Sequence, residues 1–514
     1  MDSKPPHLCV AICERTIDAL QGSAASASEP GDLVELRLDC LEQDGFNSIA
    51  GMLTQLIQKL PVPTIVTYRP AEQGGSTNAS IDARYAFWTG PGRLPGSHLC
   101  DIELDIAQKL SQAGESGSVL QVDWNHVICS HHDFDGAPAD LDQIYQALAS
   151  TPARILKIAV RANDVTDCLP VFQILDRALK DGREMIAIAM GPAGFTTRVL
   201  GPSRGAFLTY ASLENETGTA PGQISARELK QVYRIDKIDR QSRVFGLMGL
   251  PVCHSVSPLI HNTAFEALAF NAVYLPFEVR EAKACIRRMI HARTRELDWN
   301  FGGLSVTAPH KEAVMDQLDW IDPVAEGIGA VNTIVARNEE LHGYNTDARG
   351  VIKPLAAEFG ELSGARCAVL GAGGAARAVL WGLRQEWAEL TVFARNTDKG
   401  AVVAKEFDAA FEPLAEASFD GFDVVINTTP LGTFGEFETK TPATARQLGG
   451  ARLVYDLVYN PTETLFLREA KEAGCATLGG LSMLIAQAAE QFKLWTGVDG
   501  PESVMWAAAE RALQ

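Results

Sequence analysis

The chain has 514 residues, 46% of them hydrophobic, and a formal net charge of -19. At about 150 residues per domain this is too long for one core and predicts roughly three folding units. The acidic balance excludes a general nucleic-acid or anionic-membrane surface, so an anionic ligand must be drawn in by placed Arg and Lys against the overall field.

The 10 cysteines stand singly, with no Cys-x-x-Cys pair and no zinc-ligand spacing. That pattern predicts free thiols in a reducing compartment and no metal. The opening MDSKPPHLCVAIC carries no cleavage-type signal, and no apolar run reaches the roughly 18 residues of a membrane span, so a cytoplasmic location is expected.

Between residues 7 and 213 eight short apolar, β-branched runs alternate with stretches of helical period: HLCVAIC, LVELRLD, PTIVTY, LCDIEL, HVICSHH, ARILKIAV, EMIAIAM and GAFLTYASL. This alternation predicts a parallel (β/α)8 barrel over residues 1–238, with chemistry at the carboxyl ends of its strands. Polar residues gather there: Glu35 and Arg37 share one face of strand two, Arg69 follows strand three, and Arg198 follows strand seven. Lys157 sits inside a run that otherwise reads as a buried strand. Burial lowers a lysine's pKa, and a neutral lysine attacks carbonyls to form a Schiff base. Of the adjacent His131 and His132, alternation lets one enter the barrel mouth as a general base, and His132 is the residue assigned. Three arginines near one lysine predict an anionic, hydroxylated ligand.

VELRLD, TYR, SHHDF, KIA, MGPAGFTTR and TAPGQ occur in the order found in type I 3-dehydroquinate dehydratases, and this segment resembles that family. The resemblance implies an imine between Lys157 and the substrate ketone, with His132 moving the protons. It further implies that Arg198, Gln223 and Thr219 hold carboxylate and neighbouring hydroxyl, while Glu35, Arg37 and Arg69 grip ring hydroxyls. Gln73 stands where that family usually has Glu, with Glu72 one position earlier, so the group that orients His132 is left open.

A new pattern begins near residue 243. Ser255 and Ser257 precede an amphipathic helix, where their hydroxyls either bind a carboxylate or cap the helix. RCAVLGAGGAARAVLWGL is a strand followed by Gly371, Ala372, Gly373, Gly374 and Ala375 opening a helix, the dinucleotide fingerprint with Ala376 in its third place. The next strand ends in Arg395, followed by Asn396, Thr397 and Lys399, where an NAD-binding chain would carry an acid. An acid repels a 2′-phosphate and an arginine grips it, which predicts NADP. FDVVINTTPLG adds a further strand with polar residues, Thr428 among them, at its carboxyl end.

With HSVSP, LSVTAPHK, AVN, NTD, DLVYNPTET and GLSMLIAQAAEQ, the segment from residue 243 onward resembles shikimate dehydrogenases. The resemblance implies a proton-transfer pair in Lys311 and Asp347. It places Ser255, Ser257, Thr307, Asn332, Tyr459, Gln487 and Gln491 on the substrate and Gly480 at the cofactor. Ser305 replaces the Asn often found before Val-Thr, with little expected effect. The implied layout is a substrate domain over 243–345, rejoined by 481–514, and a Rossmann-like NADP domain over 346–480.

Together the two resemblances imply a bifunctional enzyme that dehydrates 3-dehydroquinate and then reduces 3-dehydroshikimate with NADPH. Small-molecule substrates are the partners it requires. The alternatives are a fusion whose dehydrogenase prefers quinate, and a catalytically silent ligand sensor on the same folds.

Overall fold

The computed structural model describes residues 7–92, 98–115, 122–214, 220, 222–253 and 255–513. The chain forms two compact units: Met1–Arg243 with Leu275–Met289 and Thr294–Asn300, and Val244–Tyr274 with Ile290–Arg293 and Phe301–Gln514. No described helix is long and apolar enough to cross a membrane.

The first unit is a nearly closed barrel of eight strands: β1 (His7–Ile12), β2 (Leu33–Arg37), β3 (Thr64–Thr67), β4 (Leu99–Glu103), β5 (Val127–Asp133), β6 (Ile155–Arg161), β7 (Glu184–Met190) and β8 (Leu208–Ala211). The ladder runs β7-β6-β5-β4-β3-β2-β1-β8, parallel at every pairing. Each strand coincides with a run read from the sequence, β5 and β6 reaching one residue past theirs to Asp133 and Arg161, because both faces of a parallel strand are buried and its apolar run is nearly continuous. Cys9, Ile65, Ile128, Ile155 and Ile186 fill the interior. Above them the inward positions turn polar, and that change of lining creates the cavity.

One sequence expectation is corrected here. Cys13 and Cys40 are joined by a disulfide, whereas the spacing predicted free thiols throughout. The bond follows from topology: β1 and β2 are parallel neighbours, so residues just past their carboxyl ends meet with Cα atoms 5.4 Å apart despite a separation of 27 in the chain.

Two six-stranded sheets follow along the chain. The first is built from β9 (Arg243–Gly249), β10 (Ala272–Glu278), β11 (Phe301–Val306), β12 (Trp320–Ile321), β13 (Thr333–Arg337) and β14 (Glu340–Tyr344), in the order β10-β9-β11-β13-β14-β12. Helix Leu481–Thr496 returns to it from the end of the chain. There Phe492 and Trp495 pack with Phe245 and Phe265, and Trp495 Nε1 donates to the Ile334 carbonyl at 3.0 Å. The second sheet is wholly parallel: β15 (Arg366–Leu370), β16 (Glu389–Ala394), β17 (Ala410–Pro413), β18 (Val424–Asn427), β19 (Leu453–Asp456) and β20 (Ala476–Leu478), ordered β17-β16-β15-β18-β19-β20. Strand order reverses beside β15, the switch point at which open α/β sheets bind ligands.

On one face of this sheet Phe393 packs against Phe419 and Phe422, with ring centroids 5.0 and 5.7 Å away. Phe393→Ala is expected to destabilise the second unit by about 3–5 kcal/mol. Urea denaturation followed by circular dichroism should show that unit unfolding at a lower midpoint.

Candidate active sites

Lys157 lies mid-strand in β6 and is 4% exposed, facing the barrel interior. Its Nζ donates to Asp101 Oδ2 at 2.7 Å and to Tyr210 Oη at 3.0 Å, with Glu35 Oε1 at 3.9 Å. Desolvation alone was the expectation; instead the buried amine is paired. Arg69 Nη2 approaches the same Asp101 oxygen at 2.8 Å, and its Nη1 donates to Glu103 Oε1 at 3.2 Å and Ser130 Oγ at 2.8 Å. Arg84 meets the other Glu103 oxygen at 3.0 Å. Burial works to raise the Asp101 carboxyl, but Arg69 and Lys157 outweigh it and hold the group far below the usual carboxylate range.

Arg37 forks onto Asp39, Nε to Oδ1 at 2.9 Å and Nη2 to Oδ2 at 2.8 Å. Asp39 also accepts from the backbone N–H groups of Arg69 and Ser76, so one carboxylate sets a guanidinium and two loops. Glu35 Oε1 accepts from Thr67 Oγ1 at 2.6 Å. Arg198 is 1% exposed, donates Nη1 to the Tyr210 carbonyl at 3.4 Å, and is pushed down to about 10 by burial. Gln223 Oε1 accepts from Ala220 N at 3.3 Å. Thr219 lies outside the described residues. A cavity is lined by Glu35, Arg37, Arg69, His132, Lys157, Arg198, Tyr210 and Gln223.

Of the two adjacent histidines, His132 is the one on this cavity. Its Nδ1 is buried with no hydrogen-bond partner among the described residues, while Gln73 Oε1 accepts from the His132 backbone N–H at 3.2 Å. Gln73 therefore fixes the strand end rather than the ring. Burial first, then the Arg69 and Lys157 charges, hold the imidazole well below its ordinary pKa. Asp101, Asp39, Glu103 and Tyr210 are site residues that sequence reasoning missed. LCDIEL did carry a signal, since its two acids alternate inside an apolar run as Glu35 and Arg37 do. Tyr210 looked like any other core aromatic.

In the second unit Lys311 Nζ donates to Asp347 Oδ2 at 2.6 Å. Asp347 opens the helix Asp347–Phe359, where an N-terminus favours negative charge. Asn332 Nδ2 donates to Asp347 Oδ1 at 2.7 Å, and the Asp347 N–H donates to Asn345 Oδ1 at 3.0 Å. Ser255 Oγ donates to Ser257 Oγ at 3.1 Å and accepts from the Ser257 N–H at 3.2 Å, so Ser255 does satisfy a donor at the start of helix Ser257–Ala267. Burial raises the Tyr459 phenol, with Ser255 opposing. Thr307 is half-buried, its N–H bonded to the Met248 carbonyl at 2.9 Å.

The two glutamines expected to act together part company. Gln491 is 2% exposed and takes Ser305 Oγ on its oxygen at 2.8 Å; its nitrogen donates to Thr333 Oγ1 at 3.0 Å and the Asn332 carbonyl at 3.3 Å. Ser305 in turn accepts from Tyr274 Oη at 2.7 Å. Gln487 is half-buried and donates only to the Leu484 carbonyl, at 3.0 Å. Helical spacing put both on one face, but the buried end of that face is closed by Ser305 and Thr333.

Gly371 follows β15 with φ +123°, and a Cβ there would stand 2.5 Å from Thr428 Oγ1, which donates to the Leu370 carbonyl at 2.7 Å. Ala372 and Ala375 are half-buried on either side of Gly373 and Gly374. Gly373 faces open space and Gly374 meets only Lys311 Cδ, at 3.7 Å, leaving a cradle at the head of helix Gly374–Gln385. Arg395, Asn396, Thr397 and Lys399 are exposed, and Arg395 has no hydrogen bond or ion pair among the described residues. Asn396 Oδ1 caps helix Thr397–Glu406 by accepting from the Lys399 N–H at 2.9 Å. An open glycine cradle and a free guanidinium one strand away fit a pyrophosphate and a 2′-phosphate. Gly480 serves the fold as well, because a Cβ there would strike the Leu457 carbonyl at 2.4 Å.

Family profiles match this chain as type I 3-dehydroquinase over residues 8–240, as shikimate dehydrogenase substrate binding domain over 247–334, and as shikimate 5′-dehydrogenase C-terminal domain over 480–510. The chain is 32% identical over 527 residues to the chloroplastic bifunctional 3-dehydroquinate dehydratase/shikimate dehydrogenase of Arabidopsis thaliana, covering 98% of this chain and 84% of that protein. It is 44% identical to the NADP(+) shikimate dehydrogenase of Methanosarcina acetivorans, covering 53% of this chain and 99% of that one. A crystal structure of a shikimate dehydrogenase in complex with NADP+ matches with a TM-score of 0.51 at 37% identity, covering 54% of this chain and 98% of that chain.

His132 is expected to be neutral at pH 6.5, where a free histidine is half protonated, because its folded pKa is depressed. Nitrogen-detected NMR of the labelled imidazole should show one protonated and one bare ring nitrogen at that pH. An imidazolium signal would contradict the cationic surroundings as described.

Proposed function

We propose, on the premise that the chain belongs to the family of bifunctional 3-dehydroquinate dehydratase/shikimate dehydrogenases, that the residues above divide two successive reactions between them. The barrel dehydrates 3-dehydroquinate to 3-dehydroshikimate. The second half reduces that ketone with NADPH to shikimate. The observation that carries the reading is Lys157, buried in the barrel cavity with His132 and three arginines around it.

In the barrel the Lys157 nitrogen adds to the substrate ketone and water leaves, giving an imine that withdraws electrons from the adjacent carbon. His132, neutral and unpartnered at Nδ1, removes the acidified proton and returns it to the hydroxyl that departs as water. Hydrolysis of the imine frees Lys157. Arg198 and Gln223 hold the carboxylate and its neighbouring hydroxyl, and Arg37, kept in line by Asp39, meets ring hydroxyls with Glu35. Both Arg69 nitrogens that reach inward are already held by acids, so Arg69 acts chiefly by placing Asp101.

In the second half Lys311 and Asp347 handle the proton at the reacting oxygen. Ser255, Ser257, Thr307, Asn332, Tyr459 and Gln487 hold the substrate, and Gln491 sets the wall behind them. NADPH supplies the hydride when bound; Gly371 to Ala375 receive its pyrophosphate, and Arg395, Thr397 and Lys399 its 2′-phosphate. The substrate domain spans 243–345 with 481–514, and the cofactor domain spans 346–480. A cytoplasmic setting completes the reading. Arg395 disfavours an NAD-linked quinate enzyme, and a silent sensor has no need to keep the nucleophile Lys157, the base His132 and the proton-transfer pair Lys311 and Asp347 together.

Borohydride added with 3-dehydroquinate is expected to trap a covalent adduct on the wild-type chain and none on Lys157→Ala. Normal dehydration by that variant would refute the imine. Asp347→Asn should lower the reductase kcat by about 10²-fold or more, while fluorescence titration finds NADPH binding unchanged. Loss of cofactor binding instead would show that Asp347 is misassigned.

A further inference from the structure

Tyr210 touches the nitrogen on which the barrel's chemistry turns, and nothing so far gives its hydroxyl a task. It lies in β8, 4% exposed, with Oη 3.0 Å from Lys157 Nζ and its ring centroid 4.3 Å from the same nitrogen. Asp101 Oδ2, at 2.7 Å, is the other hydrogen-bond acceptor at Nζ, while Glu35 stands off at 3.9 Å. A neutral primary amine has two N–H bonds and one lone pair, arranged tetrahedrally. If Asp101 takes one N–H and Tyr210 the other, the lone pair is left in the remaining position.

We propose that Tyr210 is a catalytic residue of the dehydratase, its phenol oxygen accepting the second N–H of Lys157 so that the lone pair is held ready for the substrate ketone. The inference rests on the reading of Lys157 as the imine-forming residue. In the step it serves, the lone pair forms a C–N bond while the carbonyl π electrons pass to oxygen, which gains the proton that nitrogen gives up. The C–O bond then breaks, water leaves with the second N–H proton, and the nitrogen electrons close the C=N bond. One water is released and nothing is oxidised or reduced. Tyr210 is neither consumed nor ionised: burial, and after it the Glu35 charge, hold its phenol well above the ordinary range, so it remains a neutral O–H throughout. The ring lies with its face against the same nitrogen, and the hydroxyl fixes the direction of the amine.

Tyr210→Phe separates these two contributions, because it keeps the ring and deletes only the oxygen. In single-turnover experiments quenched with borohydride and read by mass spectrometry, the limiting rate of adduct formation should fall about tenfold, the worth of one hydrogen bond. The substrate concentration for half-maximal rate and the melting temperature should stay put. A second measurement replaces Tyr210 by a ring-fluorinated tyrosine, which preserves shape and hydroxyl but weakens the oxygen as an acceptor; it should slow the same step by less. An unchanged limiting rate in both proteins would overturn the proposal. So would a loss confined to the half-maximal concentration, which would mean that the hydroxyl grips substrate. Failure of the wild type to trap any adduct, or trapping on Lys157→Ala, would instead sink the assignment of Lys157, and the two failures are therefore distinguishable.

Discussion

One oxygen atom organises the barrel. Asp101 Oδ2 lies 2.7 Å from the Lys157 ammonium nitrogen and 2.8 Å from an Arg69 guanidinium nitrogen, and all three side chains are withdrawn from water. Separating buried partners is costly because each leaves an uncompensated charge, so loss of one member strands the others. The chain of charge continues through Glu103 to Arg84 and on to Asp105, whose side chain is 37% exposed. Lys157 and Arg69 are thus placed by a connected set of ion pairs running inward from the surface. Its strands supply the register and its acids supply the fixed points.

The histidine is placed by a different logic. His132 has no acidic partner at its buried ring nitrogen, and the residue best placed to give one, Gln73, holds the backbone instead. What prepares the ring is burial first and then the Arg69 and Lys157 charges, which together penalise a further proton. A base kept neutral by its neighbours does not need a carboxylate to keep it in play at neutral pH. Gln73 fixes the strand end that carries His132 and makes no bond to its ring among the described residues.

Much of this was legible before any coordinates. Eight buried strands can be read from a parallel barrel because each shows apolar residues on both faces, and a lysine in the middle of one stands out against them. Helix Leu481–Thr496 was likewise visible from its period of apolar residues. What stayed hidden depends on partners distant in the chain. Asp101 meets Lys157 across 56 residues and Tyr210 meets it across 53, through the register of a nearly closed sheet that no local pattern encodes. The Cys13–Cys40 bond has the same origin. The resemblance put Gln491 on the substrate, and nothing local in the sequence shows that Ser305 and Thr333 already engage it.

The two halves also place their arginines in opposite electrostatic settings. In the barrel Arg37, Arg69 and Arg198 are buried, whereas Arg395 stands in solvent with no partner among the described residues. Mobile ions screen an exposed charge over about 8 Å at physiological ionic strength and hardly reach a desolvated one. A single polypeptide therefore answers to salt in two ways. On the proposed reading, in which Arg395 holds a phosphate and the barrel arginines hold a carboxylate, rising ionic strength loosens the first grip and leaves the second nearly untouched, so the balance between the two reactions shifts with the medium even when neither set of catalytic groups has changed.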